Sequence, residues 1–164
     1  MKLSELMQGK TPSANFEGFS TADDMVLAID FTGVATNPNQ YTVAQNGVTE
    51  QSGALSAQTQ SSQYLRTGEV TIKTGTSRSF TVNGDRYNKD PFQDALLAHD
   101  LKYGTGQAVI KPYVYFNILT GKGEKGMISI AVEDDLAGAA GENASFSATL
   151  TSTCMPEEYT YAPV

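Results

Sequence analysis

Met127-Ile-Ser-Ile-Ala-Val-Glu133 and, beyond a loop carrying Gly138 and Gly141, Ala144-Ser-Phe-Ser-Ala-Thr-Leu-Thr-Ser152 decide the fold. In both stretches apolar and polar side chains alternate with a period of two, the pattern of a strand with one buried and one wetted face. The same signal appears upstream. Gly68-Glu-Val-Thr-Ile-Lys73 alternates, and Arg78-Ser-Phe-Thr-Val-Asn83 follows a turn centred on Gly75. Ala108 to Leu119 is long and aromatic, with Pro112 marking a break or an edge within it. Met25-Val-Leu-Ala-Ile-Asp-Phe31 is a short apolar run that reads as a first strand. Tyr41-Thr-Val-Ala-Gln45 starts as another, and Asn46-Gly47 is a hairpin signal. Asn37-Pro38-Asn39 and Thr120–Lys125 read as turns.

One helix interrupts the strands, from Asp90 to about Lys102. Asp90 suits the N-cap, and Pro91 the first helical position, where a missing N–H costs nothing. Gln93 completes a variant capping box, and Gly104 and Gly106 end the helix. Strands, one helix over about 90–102 and more strands predict a mainly β fold. The expected architecture is an antiparallel β-sandwich or barrel with one flanking α-helix, a long hairpin and an N-terminal arm. We divide the chain into an arm (1–22), one β domain (23–155) and an acidic C-terminal tail (156–164) expected to be loose. The arm is polar, holds Pro12 and Gly18, and is expected to order only on contact with a partner.

Composition limits the function. The 164 residues are 40% hydrophobic and 18% charged, a globular balance suited to a single core. A net charge of -7 argues against a surface that grips nucleic acid phosphates. The acidity is uneven: from Glu124 onward Lys125 is the only basic residue, beside seven acidic ones. Such a surface is either simply solvated or a wall that repels a passing polyanion. One cysteine, Cys154, excludes an internal disulfide and fits a reducing compartment such as a bacterial cytoplasm. It is expected as a small semi-buried hydrophobe. No apolar stretch suggests a signal peptide or a membrane span.

No catalytic constellation is found. His99 and Cys154, the sole residues of their kinds, lie 55 positions apart, and His99 reads as a packed, half-buried helix residue. Gly121–Gly126 lacks the Gly-Lys-Ser/Thr order of a phosphate loop. Glu133-Asp134-Asp135 and Asp23-Asp24 read as solvated strand ends in preference to cation ligands. Tyr113, Tyr115 and Phe116 read as core or interface material. The chain is expected to be no enzyme and to need no cofactor or metal.

Two groups of segments, in order, carry a likeness. The first is Gly53-Ala-Leu-Ser-Ala-Gln-Thr-Gln-Ser-Ser-Gln-Tyr-Leu-Arg-Thr-Gly68, leading into Ser79–Arg86 and the helix. The second is Gly126–Glu133, the Gly-rich loop, Gly141–Leu150 and Met155-Pro-Glu-Glu158. From Tyr41 to Glu158 the chain resembles the major tail tube proteins of long-tailed bacteriophages, and more distantly the tube proteins of type VI secretion. That resemblance implies hexameric rings stacked into a hollow tube in the virion tail, made in the bacterial host cytoplasm. Its implied partners are further copies of itself, the tape measure protein, the tail terminator and distal tail proteins. Genomic DNA would pass transiently without specific binding, and no membrane is involved.

Candidate contact residues follow from the likeness. Ser52–Leu65 carries no charge, which is odd for a free surface. It reads either as a subunit-contact strand or bridging hairpin, with Leu55, Gln58, Gln60, Gln63 and Tyr64, or as a flexible loop. Leu3, Leu6 and Phe16 of the arm are candidate inter-ring contacts. Glu133, Asp134, Asp135 and Glu142 are candidates for an acidic lumen. Other readings stay open: a terminator or contractile-tail tube protein, a β-sandwich module binding carbohydrate or a cell surface, or a small enzyme.

Overall fold

A computed structural model describes residues 1–34 and 37–163. Eight strands form one antiparallel sheet: β1 (Met25–Ile29), β2 (Thr42–Val43), β3 (Val48–Tyr64), β4 (Gly68–Asp85), β5 (Ile110–Asn117), β6 (Lys122–Ala137), β7 (Ser145–Ser152) and β8 (Glu157–Thr160). The short helices are α1 (Leu3–Leu6), α2 (Pro91–Leu96) and α3 (His99–Tyr103). The mainly β, antiparallel class expected from the sequence is what the chain adopts, as a single sheet instead of two stacked ones.

The strand order is β2-β1-β5-β6-β7-β4-β3, with β8 added to β6. The sheet curls around one apolar cluster built from β1, β4, β5, β6 and β7 and capped by α2 and α3. Phe80, Phe92, Tyr113, Phe146, Ile128 and Leu150 are its large buried side chains. A second cluster lies on the other face of β1 and β5, where Val26, Ala28, Val114 and Phe116 meet Leu3 and Met7. β1 and β5 are therefore apolar on both sides, which is why Met25–Ile29 and Tyr113–Phe116 read as continuous hydrophobic runs. β7 covers one cluster only, and its burial alternates from Ser145 to Leu150.

β3, at one end of the strand order, approaches β1 where the short β2 at the other end does not cover it, without a ladder. Gln51 Nε2 on β3 donates to Met25 O on β1 at 3.2 Å, and a groove of about 470 Å3 lies along this seam. Met25, Val26, Val43, Val48 and Ile118 line it.

Several expectations are corrected. The single helix over 90–102 is two, because Ala98 takes an extended conformation between them (φ -62°, ψ 147°). Asp90 does cap α2, accepting from Gln93 N at 3.0 Å, with Pro91 in the first turn. Gln93 does not close a capping box. Fully buried, it accepts from Tyr87 N at 2.8 Å and donates to Asn46 O at 2.6 Å and Asp85 O at 3.1 Å, tying α2 to two loops. Asn46-Gly47 does not join paired strands, since β2 pairs with β1 and β3 with β4. Gly47 is still required: its φ is +72°, and a Cβ there would lie 2.4 Å from Asp85 O. Gly75 forms no turn, because β4 runs through it with an irregularity opposite Gln58–Thr59.

Residues 1–10 do not hang free. Leu3 is fully buried, Leu3 N donates to Tyr41 O, and Lys2 bridges to Thr42. The expected loose tail pairs as β8 with Lys122–Lys125, and Tyr159 and Tyr161 pack against Phe116. Val164, the last residue of that tail, lies outside the described residues.

Candidate assembly surfaces

β3 and β4 are far longer than the strands around them. β7 supports β4 only from Ser79 to Asp85, so the rest of the β3–β4 hairpin projects from the sheet as a two-stranded ribbon. Ala54 pairs with Ser79 and Tyr64 with Gly68, so the projection is on the order of 30 Å at ~3.3 Å per residue. Its turn places Arg66 at φ +69° and Gly68 at φ +82°. Ser61 and Thr71 share a hydroxyl hydrogen bond at 2.7 Å across the ribbon. An isolated two-stranded ribbon has little stability of its own, and this one exposes both faces.

The pairing divides the five candidate hairpin residues. Leu55, opposite Arg78, and Gln63, opposite Glu69, share the face that is continuous with Phe80 and the main core. Gln58, Gln60 and Tyr64 lie on the other face. Leu55 (68%), Tyr64 (52%), Leu65 (95%) and Ile72 (58%) are exposed apolar side chains on a segment that cannot cover them itself. The outer edge of β3 has no strand beside it among the described residues.

Four adjacent strands of the body share a second feature. Ser129, Thr151, Ser79 and Ala54 stand in one row across β6, β7, β4 and β3. Ala131, Thr149, Thr81 and Ser52 stand in the next. The intervening rows, with Ile130, Leu150 and Phe80, point into the main core. The outward face of this half of the sheet is thus paved with small and hydroxyl side chains and carries no charge in either row.

The four acidic candidates are all exposed, and they do not act as one group. Glu133 accepts from Thr149 Oγ1 at 2.7 Å and so lies against the hydroxyl face. Asp135 pairs with Lys102 Nζ at 2.8 Å, and this carboxylate raises the Lys102 pKa. Asp134 sits at a register shift opposite Ser147, and Glu142 lies in the loop before β7. Among the described residues no three His, Cys, Asp or Glu are grouped to hold a metal, and no helix is long and apolar enough to cross a membrane.

Of the arm candidates, Leu3 is buried within its own chain, Leu6 packs at the edge of the second cluster, and Phe16 is 42% exposed. Phe19, which the sequence reading passed over, is fully exposed. His99 is exposed and tilts against Tyr103 with ring centroids 4.9 Å apart, not half-buried as expected. Cys154 is exposed too, because it lies in a bend two residues past the end of β7. It lines, with Leu55, Arg78, Glu124 and Met155, a groove of about 720 Å3 beneath the ribbon root.

Two of the lining residues, Arg78 and Glu124, belong to a polar cluster that no local pattern in the chain links. Arg78 Nε donates to Glu124 Oε1 at 2.7 Å, and Tyr113 Oη donates to the same oxygen at 3.1 Å. Burial, with the Glu124 carboxylate adding to it, pushes the Tyr113 pKa upward. Only the registers of β4 against β7, β7 against β6 and β6 against β5 bring these positions together.

No protein-family model matches the chain, and no curated protein matches it in sequence. Solved structures do match in fold. A chain from the tail of an empty gene transfer agent particle, refined with C6 symmetry, is 18% identical with a TM-score of 0.64. The match covers 87% of this chain and all of that one. A chain from the virion of a native gene transfer agent particle is 15% identical with a TM-score of 0.62, at the same coverage. A chain from the tube-terminating cap of an anti-feeding prophage is 9% identical with a TM-score of 0.55, covering 89% of this chain and 94% of that one. At these identities the fold is what is shared.

Proposed function

We propose that this chain is a non-catalytic structural protein of a phage-like tail, and that its copies form stacked hexameric rings enclosing a hollow tube through which DNA passes. The observation that carries the reading is the match in fold, over the whole of the other chain, to a tail subunit of a C6-symmetric particle. The ribbon supports it. A projecting strand pair whose β3 side carries no charge from Ser52 to Tyr64, with exposed Leu55, Tyr64 and Leu65 and an open β3 edge, suits a surface completed by another copy. Closing a ring of such subunits removes the open edges.

Within that reading the hydroxyl face of β6, β7, β4 and β3 is the wall of the conduit. A wall without positive charge does not retain a passing polyanion. Glu133 borders this wall, while Asp135 is engaged by Lys102 on the helix side. The tape measure, terminator and distal tail proteins are the further partners of such a tube.

A second reading, a tail terminator, is favoured by the likeness to a tube-terminating cap. Negative-stain microscopy of the purified chain at high concentration, with size-exclusion chromatography alongside, separates the two. Tubes support the first reading, and rings that never stack support the second. A variant with residues 59–73 deleted, and Gln58 joined to Thr74 through Asn-Gly, should fold but form no tubes. Tubes of normal length from this variant would remove the ribbon from the assembly. Reversing Glu133, Asp134, Asp135 and Glu142 to Lys should slow DNA passage while leaving assembly intact, as read by ejection from assembled particles.

A further inference from the structure

The ribbon leaves the body at Ser79, the last residue of β4 paired with β7, and the next residue outward is Arg78. Its side chain does not follow the ribbon. It folds back so that its guanidinium carbon lies 4.6 Å from the Phe80 ring centroid and 5.1 Å from that of Tyr115. Phe80 and Tyr115 themselves pack with centroids 4.8 Å apart. Nε reaches Glu124, which Tyr113 also holds. Across the strand pair, Gly53 leaves the space that the guanidinium occupies: a Cβ there would stand 3.1 Å from Nη2.

One side chain thus touches β3, β4, β5 and β6. The Arg78 side chain is 12% exposed and that of Glu124 26%, so the pair is shielded well beyond an ordinary surface ion pair. Farther out, among the described residues, the two strands of the ribbon pair only with each other. Thr74 is left out of the ladder beside Gly75, and a Cβ at Gly75 would meet no atom within 4 Å.

We infer that Arg78 is the positioning residue of the ribbon: its clamp on Phe80, Tyr115 and the Glu124 that Tyr113 also holds sets the angle at which the hairpin leaves the sheet. The inference concerns the free chain and stands apart from the tube reading. Lys cannot substitute, because an ammonium is a point charge with no flat face to lay against the Phe80 and Tyr115 rings and no planar donor fork.

The test uses the full chain with Cys154→Ser and spin labels at Leu65→Cys, on the ribbon turn, and Asp100→Cys, on α3. The parent should give one narrow distance distribution. Arg78→Lys and Arg78→Gln should broaden it, and Glu124→Gln should broaden it less. Opening of the amides at 53–55 and 77–79, read by hydrogen exchange, should rise on the order of tenfold, while β7 amides stay protected. Should Arg78→Gln fail to fold, the Lys and Glu124→Gln variants carry the test. Unchanged distributions in folded Arg78→Lys and Glu124→Gln would overturn the inference. A merely stabilising role would shift β7 exchange as much as ribbon exchange, and that outcome would overturn it too.

Discussion

The two halves of β4 make opposite use of the same alternating pattern. From Ser79 to Asp85 the strand lies between β3 and β7, and Phe80, Val82 and Gly84 are buried. From Gly68 to Arg78 it has only β3 beside it; Val70 and Ile72 still alternate with polar residues, but past the register shift they lie on the outward face with Gln60, and Ile72 is exposed. Period-two patterning therefore specifies extended backbone and two distinct faces. What covers the inner face is decided by a third strand distant in sequence, here β7. The proximal half draws its stability from packing, and the distal half from hydrogen bonds along one ladder and whatever another molecule supplies.

Substitutions can break or sharpen that contrast. The largest effect is expected in the packed half, where Phe80→Ala should cost about 3–5 kcal/mol, measured by chemical denaturation. A loss below 1 kcal/mol would show that the proximal half is not the packed one. Leu3→Ala, in the smaller cluster, should cost about 2 kcal/mol and free α1 while the main core persists. Loss of α1 exchange protection without loss of β7 protection is the expected record.

A third effect is alkaline. Tyr159 is pushed up to about 12 by burial, with Tyr41 and Tyr161 beside it, and burial also raises Tyr41 and Tyr115. Folding therefore favours the neutral phenols. Their contribution is whole below pH 10 and is lost as pH rises from 10 toward 12. The melting temperature should fall over that window, and less steeply in Tyr159→Phe. An identical slope in that variant would remove Tyr159 from the effect. The smallest change belongs to the distal half: Leu65→Ser, at the ribbon turn, should alter monomer stability by less than about 0.5 kcal/mol. A larger loss would mean that the ribbon turn packs against its own chain.

The parts of the fold legible in sequence were those where local pattern and final environment agree. Phe146, Ala148 and Leu150 alternate because β7 is wet on one side, and Asp90-Pro91 opens α2 through contacts within one turn. The helix break at Ala98 had no Gly or Pro to announce it. Gly75 suggested a turn because glycine is frequent there, although in β4 it sits beside a ladder irregularity in an open ribbon. A four-residue helix is too short to show periodicity, so Leu3 reads as part of an arm; it shares a cluster with Val26, Val43 and Phe116, which come from three separate strands. The uncharged Ser52–Leu65 segment was legible as unusual, but its division into two faces required the register with β4. The Arg78–Glu124 pair spans 46 positions, and no local signal links them.

The position of β7 also governs how this chain comes into being. It is the seventh strand made but lies inside the sheet, between β6 and β4. Until residue 152 has left the ribosome, the half of the sheet bearing Phe80 and Val82 cannot join the half bearing Ile128 and Ile130. A nascent chain must therefore hold two unfinished apolar surfaces apart for most of its synthesis. Closure comes late, through long-range pairing that is slow to form and exposed to misassociation while it waits.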